Sequence, residues 1–281
     1  MAKYRSDVRI GIREKLSAWP LNATTLSAAV TTTTATTVTL TSVLSITERS
    51  LIEVDSELMH VLSVAGFVAT VMRGARGTTA ATHLNGAAVN IYPEWGWPDA
   101  NLNRKISRAI TWLGEGQVYT LTPLTNTLLS GYKEFGLPSG CEYPNGNKLK
   151  VLEILQADGT YKKSLFWKHQ GDRIVLPNKL TESLSVRLWI ETKQADLTDD
   201  TTALGDARYL EVLELYASAR ALEELLANRT RYTEYSASLH DRASSLDELQ
   251  RQAYYFQNQA IILRNEMSRP GLSGQASFHP T

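Results

Sequence analysis

The pattern of apolar residues is most regular near the C-terminus, where two stretches repeat at helical spacing. The first stretch places Val212, Leu215, Ala219, Leu222 and Leu226 on one stripe, and the second runs from Leu246 through Leu249, Ala253, Phe256, Ala260 and Leu263 to Met267. The sequence Ser245-Leu-Asp-Glu248 is a capping box at the start of the second stretch. Two apolar stripes of this length predict an antiparallel helical hairpin or bundle over residues 196–269.

In two regions upstream of these helices, apolar and polar residues alternate with the two-residue period that is typical of β-strands. Residues 21–93 predict a small all-β module with strands near Val38–Leu40, Ile52–Val54, Leu58–Val64, Phe67–Met72 and Ala87–Ile91. Turns are expected at Asp55-Ser56 and Ala65-Gly66. Residues 117–195 predict a second β module, with a turn at Ala157–Thr160.

Two shorter helices and a tail complete the predicted organisation. We expect an N-terminal helix within residues 1–20, capped by Ser6 and closed by Pro20, and a linking helix within residues 94–116. Residues 270–281 are expected to be extended. The predicted fold class is therefore α+β: a helical hairpin or bundle body, two inserted small antiparallel β modules that are barrel- or sandwich-like, and an extended C-terminal tail.

An uncharged run of 22 residues, Leu26 to Thr47, is about long enough to span a bilayer. About half of it is Thr and Ser, which is too polar for lipid and suits a half-solvated strand. We therefore expect sheet here and no membrane partner. The first residues lack the apolar core of a secretory signal, so we expect folding in a cytoplasm.

Composition makes the chain an ordinary globular protein, but its charge is unevenly distributed. Of 281 residues, 43% are hydrophobic and 21% are charged, and the formal net charge is zero. Residues 1–195 contain 21 basic and 16 acidic residues, a net charge of +5, whereas residues 196–281 contain 8 and 13, a net charge of −5. Such a dipolar chain favours head-to-tail contacts between copies.

Motifs for covalent chemistry are missing from the sequence. It has no phosphate-binding loop, no dinucleotide fingerprint and no Gly-x-Ser-x-Gly elbow, and Ser139 and Cys141 lie in a turn-like Leu-Pro-Ser-Gly-Cys segment. The single cysteine excludes an internal disulfide, and the five histidines lack ligand spacing to one another. We therefore expect no cofactor, no metal and no enzymatic activity.

Two groups of charged residues could still carry chemistry. Glu53, Asp55 and Glu57 alternate and could present two carboxylates on one strand face, although a solvated face is the simpler interpretation. His60 is interpreted as a packed or edge residue. The helical residues Arg104, Lys105 and Arg108 could touch phosphate or could form a solvated face, which leaves DNA possible as a non-specific cargo.

The segment Ile52–Ile91 contains the most specific motif of the chain. It resembles a β module of tailed-bacteriophage structural proteins, in which an acidic Asp-x-Glu-x-Met-x-Val hairpin precedes the pattern VxRGxxGTxAAxHxxGxxV. The matching residues are Asp55, Glu57, Met59, Val61, Val71, Arg73, Gly74, Gly77, Thr78, Ala80, Ala81, His83, Gly86 and Val89. Gly74 and Gly77 permit backbone angles that other residues resist, so the motif is interpreted as a tight structural loop.

The C-terminal helical region is similar to the helical body of head-to-tail connector proteins, also called adaptors or neck proteins. This resemblance implies a virion protein that forms a ring, commonly of twelve copies, beneath the portal. It also implies the portal protein, a downstream neck or tail protein and DNA as partners, and a tail that docks into the portal through Leu272 and Phe278. The two β modules depart from the small all-helical adaptors.

Two other functions stay open at this point. The protein could be a baseplate, tail or decoration protein of the virion, or a phage cell-wall or polysaccharide hydrolase. The hydrolase would need a paired acid and base in a cleft, for which Glu53, Asp55, Glu57, His60 and His83 would be the candidates.

Overall fold

A computed structural model describes residues 2–115, 119–136, 149–163, 167–170, 173–228, 231–233, 235 and 246–268. The chain divides into two compact units. The first unit comprises Met1–Trp112 and Asp196–Glu266, and the second is built on Leu113–Ala195. The fold is mixed α+β, and the strand pairs among the described residues are antiparallel, as the sequence pattern predicts.

Six antiparallel strands of the first unit form a closed barrel. They are β1 (Asn22–Thr25), β2 (Thr37–Thr39), β3 (Leu51–Val54), β4 (Glu57–Ala65), β5 (Val68–Met72) and β6 (Ala88–Tyr92), in the order β1-β6-β3-β4-β5-β2. A bridge between Leu26 and Leu40 joins the segments that follow the two outer strands and closes the sheet on itself. The interior is a cluster of aliphatic side chains that includes Ile52, Val61 and Val89.

Two tight turns fix the register of the central strands, as the sequence predicts. Val54 pairs with Glu57 across Asp55-Ser56, and Asp55 has φ of 53°. Ala65 pairs with Val68 across Gly66, whose φ is 61°. Residues with short polar side chains or none adopt such left-handed angles at least cost, so these turns are specified locally.

The long helices described in the first unit are α1 (Arg5–Leu16), α2 (Asp99–Glu115, which runs into the second unit), α3 (Tyr209–Ala227) and α4 (Leu246–Ser268). The expected Ser6 cap of α1 is wrong, because Tyr4 is the N-cap and its N–H donates to the Asp7 carboxylate at 2.8 Å. The carboxylate in the first turn also suits the helix dipole. The helix ends at Leu16, before Pro20, and Trp19 is half exposed.

Helix α3 packs against α1, and residues outside its predicted apolar stripe are buried as well. The stripe residues Val212, Ala219 and Leu222 are buried, and so are Leu213 and Ala217 on other faces of the helix. In α4 the predicted stripe is buried at Leu249, Ala253, Phe256 and Ala260. Periodicity therefore located both helices correctly, but it understated how central α3 is.

Close approach of α1 and α3 depends on one glycine. A Cβ atom added to Gly11 would lie 2.1 Å from the carboxyl carbon of Glu214. That carboxylate also accepts an ion-pair hydrogen bond from Lys15 Nζ at 2.6 Å. A side chain at position 11 would displace the Glu214 carboxylate, so the partly buried ion pair takes this position because residue 11 is glycine.

Ion pairs within the first unit use part of the uneven charge of the chain. Arg9 forms a two-pronged pair with Asp200, at 2.8 and 2.6 Å, and Arg13 pairs with Asp99. Lys105 pairs with Glu224. In the Arg9–Asp200 and Lys105–Glu224 pairs, a basic residue of the N-terminal part thus contacts an acidic residue of the C-terminal part within a single chain.

The second unit contains two antiparallel sheets. One has the order β10-β9-β13-β7 and the other the order β11-β12-β8. The strands are β7 (Tyr119–Leu128), β8 (Glu134–Gly136), β9 (Leu149–Leu155), β10 (Tyr161–Lys163), β11 (Lys168–Gln170), β12 (Arg173–Val175) and β13 (Leu184–Lys193). Leu152 and Leu188 of the first sheet and Ile174 of the second belong to one apolar cluster, as in a sandwich.

Candidate functional site

Most polar residues of the phage-like motif converge at one end of the barrel, around the carboxylate of Glu57. Glu57 begins β4, Arg73 directly follows β5, and His83 lies in the loop that leads to β6. The Glu57 side chain is 0% exposed and that of His83 is 1% exposed. A motif spread over about thirty residues of sequence therefore forms one buried cluster.

Arg73 and His83 hold the Glu57 carboxylate from two sides. Arg73 Nε donates to Glu57 Oε1 at 2.7 Å and Arg73 Nη2 to Oε2 at 2.6 Å, which is a bidentate pair. His83 Nε2 lies 2.9 Å from Glu57 Oε2, and His83 Nδ1 lies 2.7 Å from Asp55 Oδ2. The His83 imidazole therefore lies between the carboxylates of Asp55 and Glu57, and the Arg73 guanidinium supplies the positive charge that faces Glu57.

Backbone groups complete the hydrogen bonding of Glu57. The N–H of Gly74 donates to Oε1 at 3.0 Å, and that of Ala81 donates to Oε2 at 2.8 Å. Burial alone raises the pKa of Glu57, but the hydrogen bonds from Arg73, Ala81, His83 and Gly74 outweigh it and lower the pKa to about 2. Glu57 is therefore held as a carboxylate by fixed donors.

The glycines of the motif are required by the backbone around this cluster. Gly74 and Gly77 have φ of 62° and 78°, and a Cβ on Gly74 would lie 2.9 Å from the carbonyl oxygen of Thr78. Gly86 has φ of 81°, and its N–H donates to the carbonyl oxygen of Leu26 at 2.8 Å. These left-handed angles are costly for other residues, so the glycines set the path of the loop.

Thr78 ties the same loop to β4. Its hydroxyl accepts from the N–H of Leu58 at 3.0 Å and donates to the carbonyl of Ala75 at 2.9 Å. The structure thus brings together Asp55, Glu57, Arg73, Gly74, Thr78 and His83, while Gly77 and Gly86 shape the chain between and after them. We call this set the Glu57 cluster.

The interpretation of Glu53 and Glu57 as part of a solvated face is wrong. Glu53 is 2% exposed, and its carboxylate accepts from the N–H groups of Asp99 at 3.0 Å and Ala100 at 2.8 Å. It therefore caps α2 and links that helix to the barrel. Burial raises the pKa of Glu53, which these hydrogen bonds only partly offset. Only Asp55, with 64% of its side chain exposed, faces solvent.

The basic residues of α2 divide into two kinds. Arg104 and Arg108 are exposed, as expected for a solvated or phosphate-binding face. Lys105 is 4% exposed and pairs with Glu224, so the solvated interpretation is wrong at this position. Lys105 is three and four residues from the buried Leu102 and Ala109, which places it at the border of the apolar stripe.

Several predicted residues do not join the Glu57 cluster. His60 is partly buried in β4, and its Nδ1 atom has no hydrogen-bond partner. Ser139, Cys141, Leu272 and Phe278 lie outside the described residues. In the described ranges, no three His, Cys, Asp or Glu side chains come together in a group that could hold a metal ion.

Sequence reasoning missed a group of polar residues that meet across α2 and α3. Arg76, Asn101, Glu224 and Arg231 line a common cavity with the basic residues of α2. These four residues lie far apart in the sequence, and no local motif around any one of them indicates that they meet. The one indication in the sequence was the positive charge of α2. Its basic residues could be interpreted either as phosphate contacts or as a solvated face.

The described helices include none that is long and apolar enough to cross a membrane. No family model matches the chain, and a search of curated proteins finds no match either.

Proposed function

We propose that this protein is a structural component of a tailed-phage virion, a ring-forming connector between head and tail that lines part of the DNA exit channel. The observation that carries the proposal is the Glu57 cluster. The charged residues by which the segment resembles phage structural modules form one hydrogen-bonded network, which is buried at Glu57, Arg73 and His83. The glycines of the motif shape the loop around it. A buried hydrogen-bonded network makes the surrounding structure rigid, and a ring subunit that holds head and tail together needs such rigidity.

The occupied oxygen atoms of the two buried glutamates favour scaffolding over acid–base chemistry. Glu57 is paired with Arg73 and backbone N–H groups, and Glu53 caps α2. A glycosidase requires two carboxyl groups that face a substrate cleft. These carboxylates instead hold a loop and a helix against the barrel.

The proposed connector has three further features. They are a helical hairpin of α3 with α4, a tail that docks into the portal through Leu272 and Phe278, and a ring of about twelve copies. Each helix buries its apolar stripe, as the proposed hairpin requires. Since intrachain pairs already use part of the opposite charge, contacts between copies need additional surface. Exposed apolar side chains on the β4–β5 hairpin, Leu62, Phe67, Val68 and Met72, provide such a surface.

Sedimentation of the purified protein, alone and mixed with the portal protein of the same phage, tests this function. We expect a ring-sized species alone or a co-sedimenting complex with portal. Stable interfaces of this kind bury about 1,200–2,000 Å². A protein that stays monomeric in both samples would contradict the proposal.

A second virion role, as a baseplate, tail or decoration protein, is favoured by the same exposed apolar hairpin, which could contact other tail subunits. Labelled antibodies on intact particles separate the two roles. Label at the junction of head and tail supports the connector, whereas label at the tail tip or on the capsid surface supports the alternative.

A further inference from the structure

A cavity of about 400 Å³ in the first unit is lined by an excess of positive charge. Its basic residues are Arg76, Arg104, Lys105, Arg108 and Arg231, and the acidic residue among its lining side chains is Glu224. Arg104 and Arg108 lie one helical turn apart on α2 and are exposed at the cavity. The lining therefore carries a surplus of four formal positive charges.

Internal contacts leave most of this charge unbalanced. Glu224 pairs with both Lys105 and Arg231, the latter at 2.9 Å, so one carboxylate serves two cations. Arg76 donates to the backbone carbonyls of Gly96, at 2.6 Å, and Glu94, which satisfy its N–H groups but not its charge. Burial and the nearby Arg231 lower the pKa of Arg76 to about 9.

Two buried donors that line the cavity have no acceptor within the described structure. Asn101 is 2% exposed, and its Nδ2 atom makes no hydrogen bond, while its Oδ1 atom accepts from Arg104 Nη2 at 2.8 Å. Arg231 is 6% exposed, and its Nε atom is likewise without a partner. A buried donor without an acceptor is unfavourable, so the side chains around the cavity hold more hydrogen-bond donors than acceptors.

We propose that this cavity binds a phosphate group, either as free phosphate or as a phosphodiester of a nucleic acid. A phosphate brings both the negative charge and the acceptor oxygens that the lining lacks, and guanidinium groups bind its oxygens in pairs. The volume lies within the range of small-ligand sites. This inference rests on the cavity alone and holds whether or not the protein forms a connector ring.

Titration calorimetry of the full chain with inorganic phosphate, in a phosphate-free buffer at constant ionic strength, tests the proposal. The variant Arg104→Gln/Arg108→Gln removes two exposed charges and should fold normally, which circular dichroism checks. The matched control is Arg208→Gln, an exposed arginine that pairs with Asp206 outside the cavity. We expect saturable binding, at least tenfold weaker in the double variant and unchanged in the control.

Two further probes define the ligand. Acetate at the same ionic strength should bind at least tenfold more weakly than phosphate. The second probe is a ten-residue oligothymidylate. If it displaces phosphate and binds the double variant more weakly, the ligand is a phosphodiester. If phosphate binds and the oligonucleotide does not displace it, the ligand is the free anion. Absence of saturable phosphate binding, equal binding by the double variant, or acetate binding as tight as phosphate binding would overturn the proposal.

Discussion

At the scale of single residues, Glu57 explains how a carboxylate can be stable in a fully buried position. An unpaired buried charge is costly, but Arg73 neutralises this one, and fixed backbone donors replace its water. The acidic alternation in the sequence could not reveal this. Arg73 and His83 lie 16 and 26 residues away from Glu57, and nothing in the local pattern indicates that they pair with it.

Removing one partner of the buried pair should be far more damaging than removing an exposed pair. Replacing Arg73 with Met leaves Glu57 charged and buried, so we expect a loss of about 3–5 kcal/mol in the free energy of unfolding. Denaturant titration measures it. Arg208→Met, which breaks an exposed pair with Asp206, should cost at most about 1 kcal/mol. Equal losses in the two variants would contradict the burial of the Glu57 cluster.

Acid should weaken the Glu57 cluster in a defined pH range. The folded-state pKa of Glu57 is lowered to about 2 from its ordinary value of 4.5. The contribution of ionised Glu57 to the free energy of unfolding is therefore complete above pH 4.5 and is lost as the pH falls towards 2. The difference in unfolding free energy between the native protein and Glu57→Gln, measured from pH 7 to pH 3, should therefore shrink below pH 4.5. A difference that stays constant would show that Glu57 does not titrate in this way.

The left-handed backbone at Gly77 makes this position intolerant of β-branched residues. Gly77→Val should lower the unfolding free energy by about 1–2 kcal/mol or more, because φ of 78° is strained for valine. Gly136→Val is the control, since Gly136 lies in β8 without a left-handed angle and with nothing near its missing side chain. Melting temperatures that fall equally in both variants would rule out this explanation.

At the scale of elements, local pattern predicted most of what is observed. The strands and turns from Leu51 to Met72 follow from alternation and turn residues, and the helices follow from apolar spacing. The start of α1 was misplaced because a capping interaction through Asp7 is not distinguished in the sequence from one through Ser6. The closure of the barrel between Leu26 and Leu40 depends on tertiary contact and has no local signal.

The contact between α1 and α3 provides a test at this scale. Gly11→Ala should destabilise the protein by about 1–3 kcal/mol, because the new methyl group overlaps the Glu214 carboxylate. In a Glu214→Ala background the overlap is gone, and alanine should instead stabilise the helix by up to about 1 kcal/mol. A double-mutant cycle from chemical unfolding measures this coupling. Additive effects would show that the two positions do not touch.

At the scale of the whole molecule, part of the uneven charge is used in ion pairs within one chain. Pairs such as Arg9–Asp200 and Lys15–Glu214 connect the basic and acidic parts of the sequence within one chain. A charge sum over the sequence cannot distinguish contacts within a chain from contacts between copies. The proposed assembly therefore depends more on exposed apolar surface than on the net charges of the two parts.

The stoichiometry of this protein relative to the portal protein in a purified phage particle tests the proposed role most directly. Quantitative mass spectrometry of intact particles, with the portal as internal standard, should give a fixed ratio close to one copy per portal subunit. Absence of the chain from the particle, or a copy number that matches the capsid surface or the tail tube, would contradict a connector at the junction of head and tail.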